Sequence, residues 1–161
     1  MSADSVERGL AIRPSGGPEE YPQLVQIWRS AVTATHDFLA DEHRDEIEAH
    51  LASDYFPQVQ LHVAERDGAP IGFAGVVGEN LEMLFVSAGA HGHGVGSALL
   101  SFVVAESGVT TVDVNEQNAR AVEFYDHRGF TVVGRSELDD KGRPYPLLHM
   151  ALRGDVTDLE A

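Results

Sequence analysis

Apolar residues in the first part of the chain recur at the spacing of an α-helix. The helix is expected to open at Pro18-Glu-Glu20, with the two acids in its first turn, and to be broken by the polar residues 33–38. The residues of its apolar face are Leu24, Ile27, Trp28, Ala31 and Val32. A second helix is expected over residues 42–52, with Asp41 as its N-terminal cap. Ahead of both helices, residues 9–13 are predicted to form a short strand.

Three strands are predicted after the helical region, and the first of them alternates in polarity. They are expected over residues 60–65, 71–77 and 81–86, and Arg66-Asp-Gly68 and Gly78-Glu-Asn80 supply the turns between them. Strands joined by turns this short run antiparallel, so the pattern predicts a three-stranded meander.

Helices and strands alternate from residue 87 onward. Helices are predicted over residues 95–105 and 118–128, and strands over residues 110–114, 130–133 and 146–152. This order of elements predicts an α/β fold, built as one mixed sheet of six to seven strands with about four helices on its two faces.

The length of 161 residues corresponds to one domain, since a domain typically has about 150 residues. We expect that domain to span residues 9–153. The polar residues 1–8 are expected to be flexible, and residues 154–161 to form a mobile acidic tail.

Charge and composition exclude several classes of function. Eleven basic and 26 acidic residues give a formal net charge of −15, which argues against binding to nucleic acid or to an anionic membrane surface. There is no cysteine, so disulfides, thiolate metal ligands and a cysteine nucleophile are excluded. No apolar run approaches the ~20 residues of a membrane-spanning helix, and the first residues lack the apolar core of a signal peptide. A cytoplasmic location is therefore expected.

A glycine-rich turn between residues 84 and 100 is the most informative segment. Gly92, Gly94 and Gly96 lie between a predicted strand and a predicted helix. Glycines allow close backbone approach, and the N–H groups at a helix start attract anions, so this turn is suited to a pyrophosphate. A plain glycine turn is the alternative. The P-loop and Rossmann motifs are not matched, because Gly-Lys-Ser/Thr and Gly-x-Gly-x-x-Gly are both missing.

The segment His91-Gly-His-Gly-Val-Gly96 resembles motif A of the GCN5-related N-acetyltransferases, Arg/Gln-x-x-Gly-x-Gly/Ala, with His91 in place of Arg or Gln. A second segment, from Asn118 through Tyr125 to Gly129-Phe130, resembles motif B, Asn-x-x-Ala-x-x-x-Tyr-x-x-x-Gly-Phe. The resemblance covers roughly residues 10–152 and is strongest to the bacterial YjaB-like branch. It implies an antiparallel N-terminal meander followed by a splayed parallel pair of strands.

The same resemblance implies acetyl-CoA as cosubstrate, with no metal. The glycine-rich loop would bind its pyrophosphate, and the backbone of residues 84–86 would pair with its pantetheine arm. The residues expected to contact acetyl-CoA are Leu84, Phe85, Val86, His91, Gly92, His93, Gly94, Val95, Gly96, Ser97, Asn118, Ala121 and Tyr125.

The expected reaction is direct attack of an amine on the thioester in a ternary complex, because no cysteine is present for a covalent relay. Tyr125 is the expected general acid. Either Asp113 or Glu82 is the expected general base, and alternation along the strand predicts that Glu82 shares a sheet face with Leu84. A packed tyrosine and two solvated acids are the alternative interpretations of these residues.

The amine acceptor is expected to be a small molecule or a peptide. The residues expected to contact it are Trp28, His36, Asp37, Asn115 and His149. His43 and His50 are expected to face water. A non-catalytic acyl-CoA sensor and a metal-binding or toxin-neutralising partner protein are the alternative functions. The resemblance also implies a possible homodimer.

Overall fold

The computed structural model describes residues 9–153, so the predicted N-terminal and C-terminal tails lie outside the described residues. Seven strands form one mixed sheet in the order β1-β2-β3-β4-β5-β7-β6. The strands are β1 (Leu10–Pro14), β2 (Gln60–Arg66), β3 (Ala69–Val77), β4 (Asn80–Val86), β5 (Thr111–Asn115), β6 (Phe130–Ser136) and β7 (Leu147–Leu152). The helices are α1 (Tyr21–Thr35), α2 (Asp41–His50), α3 (Val95–Ser107) and α4 (Ala119–His127). The predicted fold class is confirmed.

Two buried clusters cover opposite faces of this sheet. Neighbouring residues of one strand point to opposite faces, and accordingly Phe73 packs in the cluster that contains α1, whereas Ala74 packs in the cluster that contains α3 and α4. The sheet is therefore the partition between two halves of the protein, and each half can carry a separate site.

The only parallel neighbours among the described strands are β4 and β5, and they stay paired over a short distance. Asn80 pairs with Thr111 and Leu81 with Val112, after which the two strands part. Beyond that point β5 continues its pairing with β7 on its other side. A slot therefore opens between the remainder of β4 and β5, as the predicted splay requires.

The N-terminal turn of α2 differs from its prediction. Asp41 is the first helical residue and not the cap, because Arg44 N–H donates to the Ala40 carbonyl at 2.9 Å and makes Ala40 the capping position. The Asp41 carboxylate instead pairs with the Arg44 guanidinium at 3.3 Å. The helix ends at His50, and residues Leu51–Tyr55 continue as one wide helical turn.

Two other boundaries lie beyond their predicted positions. Helix α1 continues through the polar residues to Thr35, whose hydroxyl donates to the Ala31 carbonyl at 2.8 Å. Strand β6 continues to Ser136, because β7 pairs with it along that length. Among the described residues, no helix is long and apolar enough to cross a membrane.

Candidate active site

The glycine-rich loop folds as a left-handed turn that leads directly into α3. Gly92 has a φ of 82° and Gly94 a φ of 81°, a region of backbone space that residues with a Cβ rarely occupy. Gly94 is the N-cap of α3, so the unpaired N–H groups of the first helical turn follow it at once. The sequence pattern of glycines is thus explained by backbone conformation.

A cavity of about 470 Å³ lies between this loop, the end of β4 and helix α4, and we call it the loop cavity. Twelve of the thirteen residues expected to contact acetyl-CoA line it: Leu84, Phe85, Val86, His91, Gly92, Gly94, Val95, Gly96, Ser97, Asn118, Ala121 and Tyr125. The side chain of the remaining residue, His93, is exposed and is not part of the lining.

Two arginines of the loop cavity were missed by sequence reasoning. Arg120 and Arg128 line it together with Phe124. The three residues are spaced four apart and share a face of the helix predicted over 118–128, so a search for basic residues on that face, suited to an anionic ligand, would have found them.

His91 connects the loop back to the strand that precedes it. Its Nε2 lies 2.7 Å from the Val86 carbonyl oxygen, and because a carbonyl only accepts, Nε2 carries the proton that it donates. The residue at the motif's Arg/Gln position is therefore used to hold the end of β4.

Tyr125 is almost completely buried, with 6% of its surface exposed, and its ring packs edge-on against Phe124 and Phe130. No hydrogen bond from residues 9–153 reaches its hydroxyl. Burial raises the pKa of the Tyr125 phenol well above its ordinary value, so the phenol keeps its proton at neutral pH. Earlier in the same helix, Asn118 accepts a hydrogen bond from Ala121 N–H at 3.2 Å and caps α4.

A second cavity, of about 720 Å³, lies on the other side of the splay, and we call it the acidic cavity. Its carboxylates are Asp54, Glu82, Asp113, Asp139 and Asp140, and its cationic side chains are Lys141 and Arg143. His36 and Phe85 line both cavities, so the two are neighbours at this point. Burial lowers the pKa of His36 to about 4, so its ring is neutral at neutral pH.

The prediction that Glu82 shares a sheet face with Leu84 is wrong. Gly75 pairs with Met83 and Val76 with Leu81, so Glu82 is an extra residue opposite no partner, which is a β-bulge. The bulge reverses the alternation, and Glu82 lines the acidic cavity whereas Leu84 lines the loop cavity. Sequence alternation cannot detect this, because the bulge exists only relative to β3.

Both candidate bases of the acidic cavity contact the Asn80 amide. Its Nδ2 donates to Glu82 and lies 3.5 Å from Oδ2 of Asp113. The Thr111 hydroxyl donates to the Asn80 carbonyl oxygen at 2.7 Å and so fixes which end of the amide faces the two acids. On the other side of Asp113, its Oδ1 lies 2.6 Å from Nδ1 of His149.

Only three of the five residues expected to contact the acceptor line the acidic cavity. Trp28, His36 and Asn115 line the acidic cavity. Asp37 is exposed and lies outside its lining. His149 is also outside the lining, because its ring is held between Asp113 and the Ser136 hydroxyl, which lies 2.7 Å from Nε2.

One of the two histidines expected to face water does not. Nδ1 of His43 lies 2.5 Å from the hydroxyl oxygen of Tyr145, a buried residue of the acidic cavity, so that prediction is wrong. The prediction fails because Tyr145 reaches His43 from a segment 102 residues away. His50 is exposed and pairs with Asp54. Within residues 9–153, no group of three or more histidines and carboxylates is arranged to hold a metal ion.

Comparison with known proteins identifies the family to which this geometry belongs. The family described as the acetyltransferase (GNAT) domain matches residues 28–153. The chain belongs to the GNAT acetyltransferases. Members of this family use acetyl-CoA as the acetyl donor. The predicted acetyltransferase is confirmed.

Two relatives, one of them with a solved structure, show how far the similarity extends. The chain is 46% identical over 138 residues to the peptidyl-lysine N-acetyltransferase YjaB of Escherichia coli, covering 84% of this chain and 92% of that protein. It is 45% identical over 133 residues to the protein of the same name from Salmonella typhimurium, covering 82% and 91%. The solution structure of apo YjaB from Escherichia coli superposes with a TM-score of 0.81 at 43% identity, covering 89% of this chain and 97% of that one. The resemblance to the YjaB-like branch is thus confirmed.

Proposed function

We propose that this acetyltransferase transfers the acetyl group of acetyl-CoA to the side-chain amine of a lysine in a protein or peptide. One observation carries the proposal: the acidic cavity adjoins the loop cavity where β4 and β5 part. The acidic cavity then attracts a cationic acceptor, and the loop cavity attracts the anionic donor.

The loop cavity has the features that acetyl-CoA needs. The left-handed glycines and the start of α3 present backbone N–H groups for a diphosphate. The free edge of β4 over Leu84, Phe85 and Val86 faces the cavity and offers backbone groups to the pantetheine arm. Acetyl-CoA supplies an activated thioester there.

The acidic cavity has the features of a lysine side-chain site. Its five carboxylates outnumber its two cations, and both cations are already engaged. Arg143 pairs with Glu46 and Asp139, and the Lys141 ammonium lies 5.6 Å from the Tyr55 ring centre. Apolar residues, including Trp28, Val32 and Met83, form the walls. A lysine matches both properties, because its methylene stem packs on apolar surface while its ammonium contacts carboxylates.

The reaction needs a base for the ammonium and an acid for the leaving thiolate. We assign the base to Glu82 or Asp113, each acting directly or through one water, because both face the acidic cavity. We assign the acid to Tyr125, because its protonated phenol faces the loop cavity. The base takes one proton from the ammonium, and the freed amine nitrogen attacks the thioester carbonyl carbon. The carbon–sulfur bond breaks as the amide forms, and the phenol protonates the departing sulfur. The second proton of the nitrogen passes to water, and water in turn restores the proton of the phenol.

The lysine acceptor is supported by the relatives whose names describe them as peptidyl-lysine N-acetyltransferases. The test is a panel of acceptors with acetyl-CoA, comprising lysine peptides, the same peptides with arginine or acetyl-lysine, polyamines and free amino acids. Thiol release and mass spectrometry of the acceptor are measured together. We expect acetylation on the lysine side chain only. Acetylation of polyamines, with lysine peptides unmodified, would replace the proposed acceptor by a small amine.

A further inference from the structure

Some arginines of this protein form ion pairs with carboxylates and others do not. Six arginines of the described part of the chain pair with carboxylates: Arg13, Arg29, Arg44, Arg135, Arg143 and Arg153. Arg120 and Arg128 have no carboxylate at ion-pair distance within residues 9–153, although the chain carries 26 acidic residues. Both line the loop cavity. Two guanidinium groups without a carboxylate partner are unusual in so acidic a protein. Because both line one cavity, they indicate a binding site for an anion that comes from a ligand.

Arg128 is already held in position. Its Nε and one terminal nitrogen donate to the Ser97 hydroxyl at 3.0 and 2.6 Å, and its other terminal nitrogen donates to the Phe124 carbonyl at 3.1 Å. Its guanidinium also lies 3.9 Å from the centre of the Phe124 ring. Ser97 belongs to the first turn of α3, so Arg128 links the end of α4 to the helix start that follows the glycine-rich loop. A side chain fixed in this way loses little rotamer freedom when it binds a ligand.

The loop itself carries no arginine at the first position of motif A. His91 stands where motif A has Arg or Gln, and its Nε2 is engaged with the Val86 carbonyl. The backbone N–H groups remain, but a strong side-chain charge does not come from that position.

We propose that Arg128, with Arg120 as a second positive charge, binds a phosphate of acetyl-CoA and supplies the side-chain charge that the loop itself does not carry. Arg128 is a binding residue, and it touches the cosubstrate far from the reacting thioester. The inference rests on the proposed acetyl-CoA site in the loop cavity. Guanidinium suits this task because its planar set of donors matches the oxygens of a phosphate, and such charged hydrogen bonds are the strong ones.

The test is calorimetric titration of wild type and variants with three donors. Acetyl-CoA carries the diphosphate and the 3′-phosphate, acetyl-dephospho-CoA carries the diphosphate alone, and S-acetylpantetheine lacks all three phosphates. The variants are Arg128→Gln, Arg128→Lys and Arg120→Gln. Arg153→Gln is the matched control, because Arg153 is an exposed arginine that pairs with Asp126 of α4 outside the loop cavity.

We expect Arg128→Gln to weaken acetyl-CoA binding by about 10-fold to 100-fold, the range of a lost charged hydrogen bond. S-acetylpantetheine binding should be unchanged, and the salt dependence of acetyl-CoA binding should become shallower. Arg128→Lys should fall in between, since it keeps the charge and loses the planar donors. Arg120→Gln should show a smaller loss, and Arg153→Gln none.

The acetyl-dephospho-CoA titration identifies the phosphate. If Arg128→Gln loses the same factor of affinity for acetyl-CoA and for acetyl-dephospho-CoA, Arg128 binds the diphosphate. If it loses affinity for acetyl-CoA alone, Arg128 binds the 3′-phosphate. Wild-type affinity for acetyl-CoA in Arg128→Gln overturns the inference. An equal loss for S-acetylpantetheine also overturns it, since that would reveal a structural role. If wild type binds none of the donors, the proposed acetyl-CoA site itself fails.

Discussion

Replacing Tyr125 by phenylalanine separates the catalytic role of its hydroxyl from any structural one. The hydroxyl has no hydrogen-bond partner within residues 9–153, and the ring stays in contact with Phe124 and Phe130 after the change. The hydroxyl faces the loop cavity and its removal breaks no hydrogen bond to residues 9–153, so the free energy of unfolding should change by less than about 0.5 kcal/mol. The acetyl-CoA dissociation constant should also stay the same.

Turnover should respond very differently. A positioned general acid contributes about 10²-fold to 10⁴-fold, so kcat of Tyr125→Phe should fall within that range when thiol release is measured at saturating acetyl-CoA. Tyr145→Phe is the matched control. The Tyr145 hydroxyl accepts from Ala40 N–H at 3.1 Å and contacts His43, so its loss should lower the free energy of unfolding by about 1–3 kcal/mol.

Two results would refute this reasoning. A kcat equal to that of wild type would remove Tyr125 from the chemistry. A large loss of stability in Tyr125→Phe, comparable with that of Tyr145→Phe, would mean that the Tyr125 hydroxyl is bonded after all.

Three further predictions follow from the loop, the acids and the buried histidine. Gly94→Ala should lower the free energy of unfolding by about 1–2 kcal/mol, because residue 94 has a left-handed backbone conformation. Gly94→Asp should in addition abolish acetyl-CoA binding in calorimetry. Retained affinity in Gly94→Asp would mean that the ligand binds elsewhere. Of Glu82→Gln and Asp113→Asn, the variant that removes the base should lower kcat by about 10²-fold or more, and two fully active variants would exclude both acids. His36 has a pKa of about 4 in the folded protein and 6.5 when exposed. Below pH 6.5 its imidazole is therefore protonated in the unfolded chain but not in the folded one. The free energy of unfolding should fall by up to roughly 3 kcal/mol as the pH drops from 6.5 to 4. In denaturant titrations at a series of pH values, the free energy of unfolding of His36→Gln should not show this decrease. A pH dependence equal to that of wild type would show that His36 is not its cause.

The features that sequence predicted well are local ones. Gly92 and Gly94 are required by a left-handed backbone, and α3 begins directly after them, so the whole loop is encoded within a few residues. Motif B is equally local, because Asn118 caps the helix that carries Tyr125. Features of this kind can be inferred without knowing what packs against them.

The features that sequence missed depend on partners far along the chain. Glu82 faces the acidic cavity because β4 carries an extra residue relative to β3, and no pattern within β4 reveals that register. Asp113 and His149 lie directly opposite each other because β5 pairs with β7, 36 residues away. Arg128 meets Ser97 only through the packing of α4 beside the start of α3.

The acidic cavity shows the same limit at a larger scale. Its carboxylates come from separate parts of the chain, with Asp54 after α2, Glu82 on β4, Asp113 on β5 and Asp139 before β7. The net charge of −15 shows an excess of acids but does not say where they gather. Topology alone brings them to one side of the splay.

We propose that an acetyl-CoA site and a lysine site meet where β4 and β5 part. The most direct measurement is inhibition by a bisubstrate analogue in which coenzyme A is joined through its sulfur and a two-carbon linker to the side-chain nitrogen of a peptide lysine. We expect the analogue to compete with both acetyl-CoA and the lysine peptide, and to bind far more tightly than either substrate alone. Competition with acetyl-CoA only, at the affinity of free coenzyme A, would contradict it.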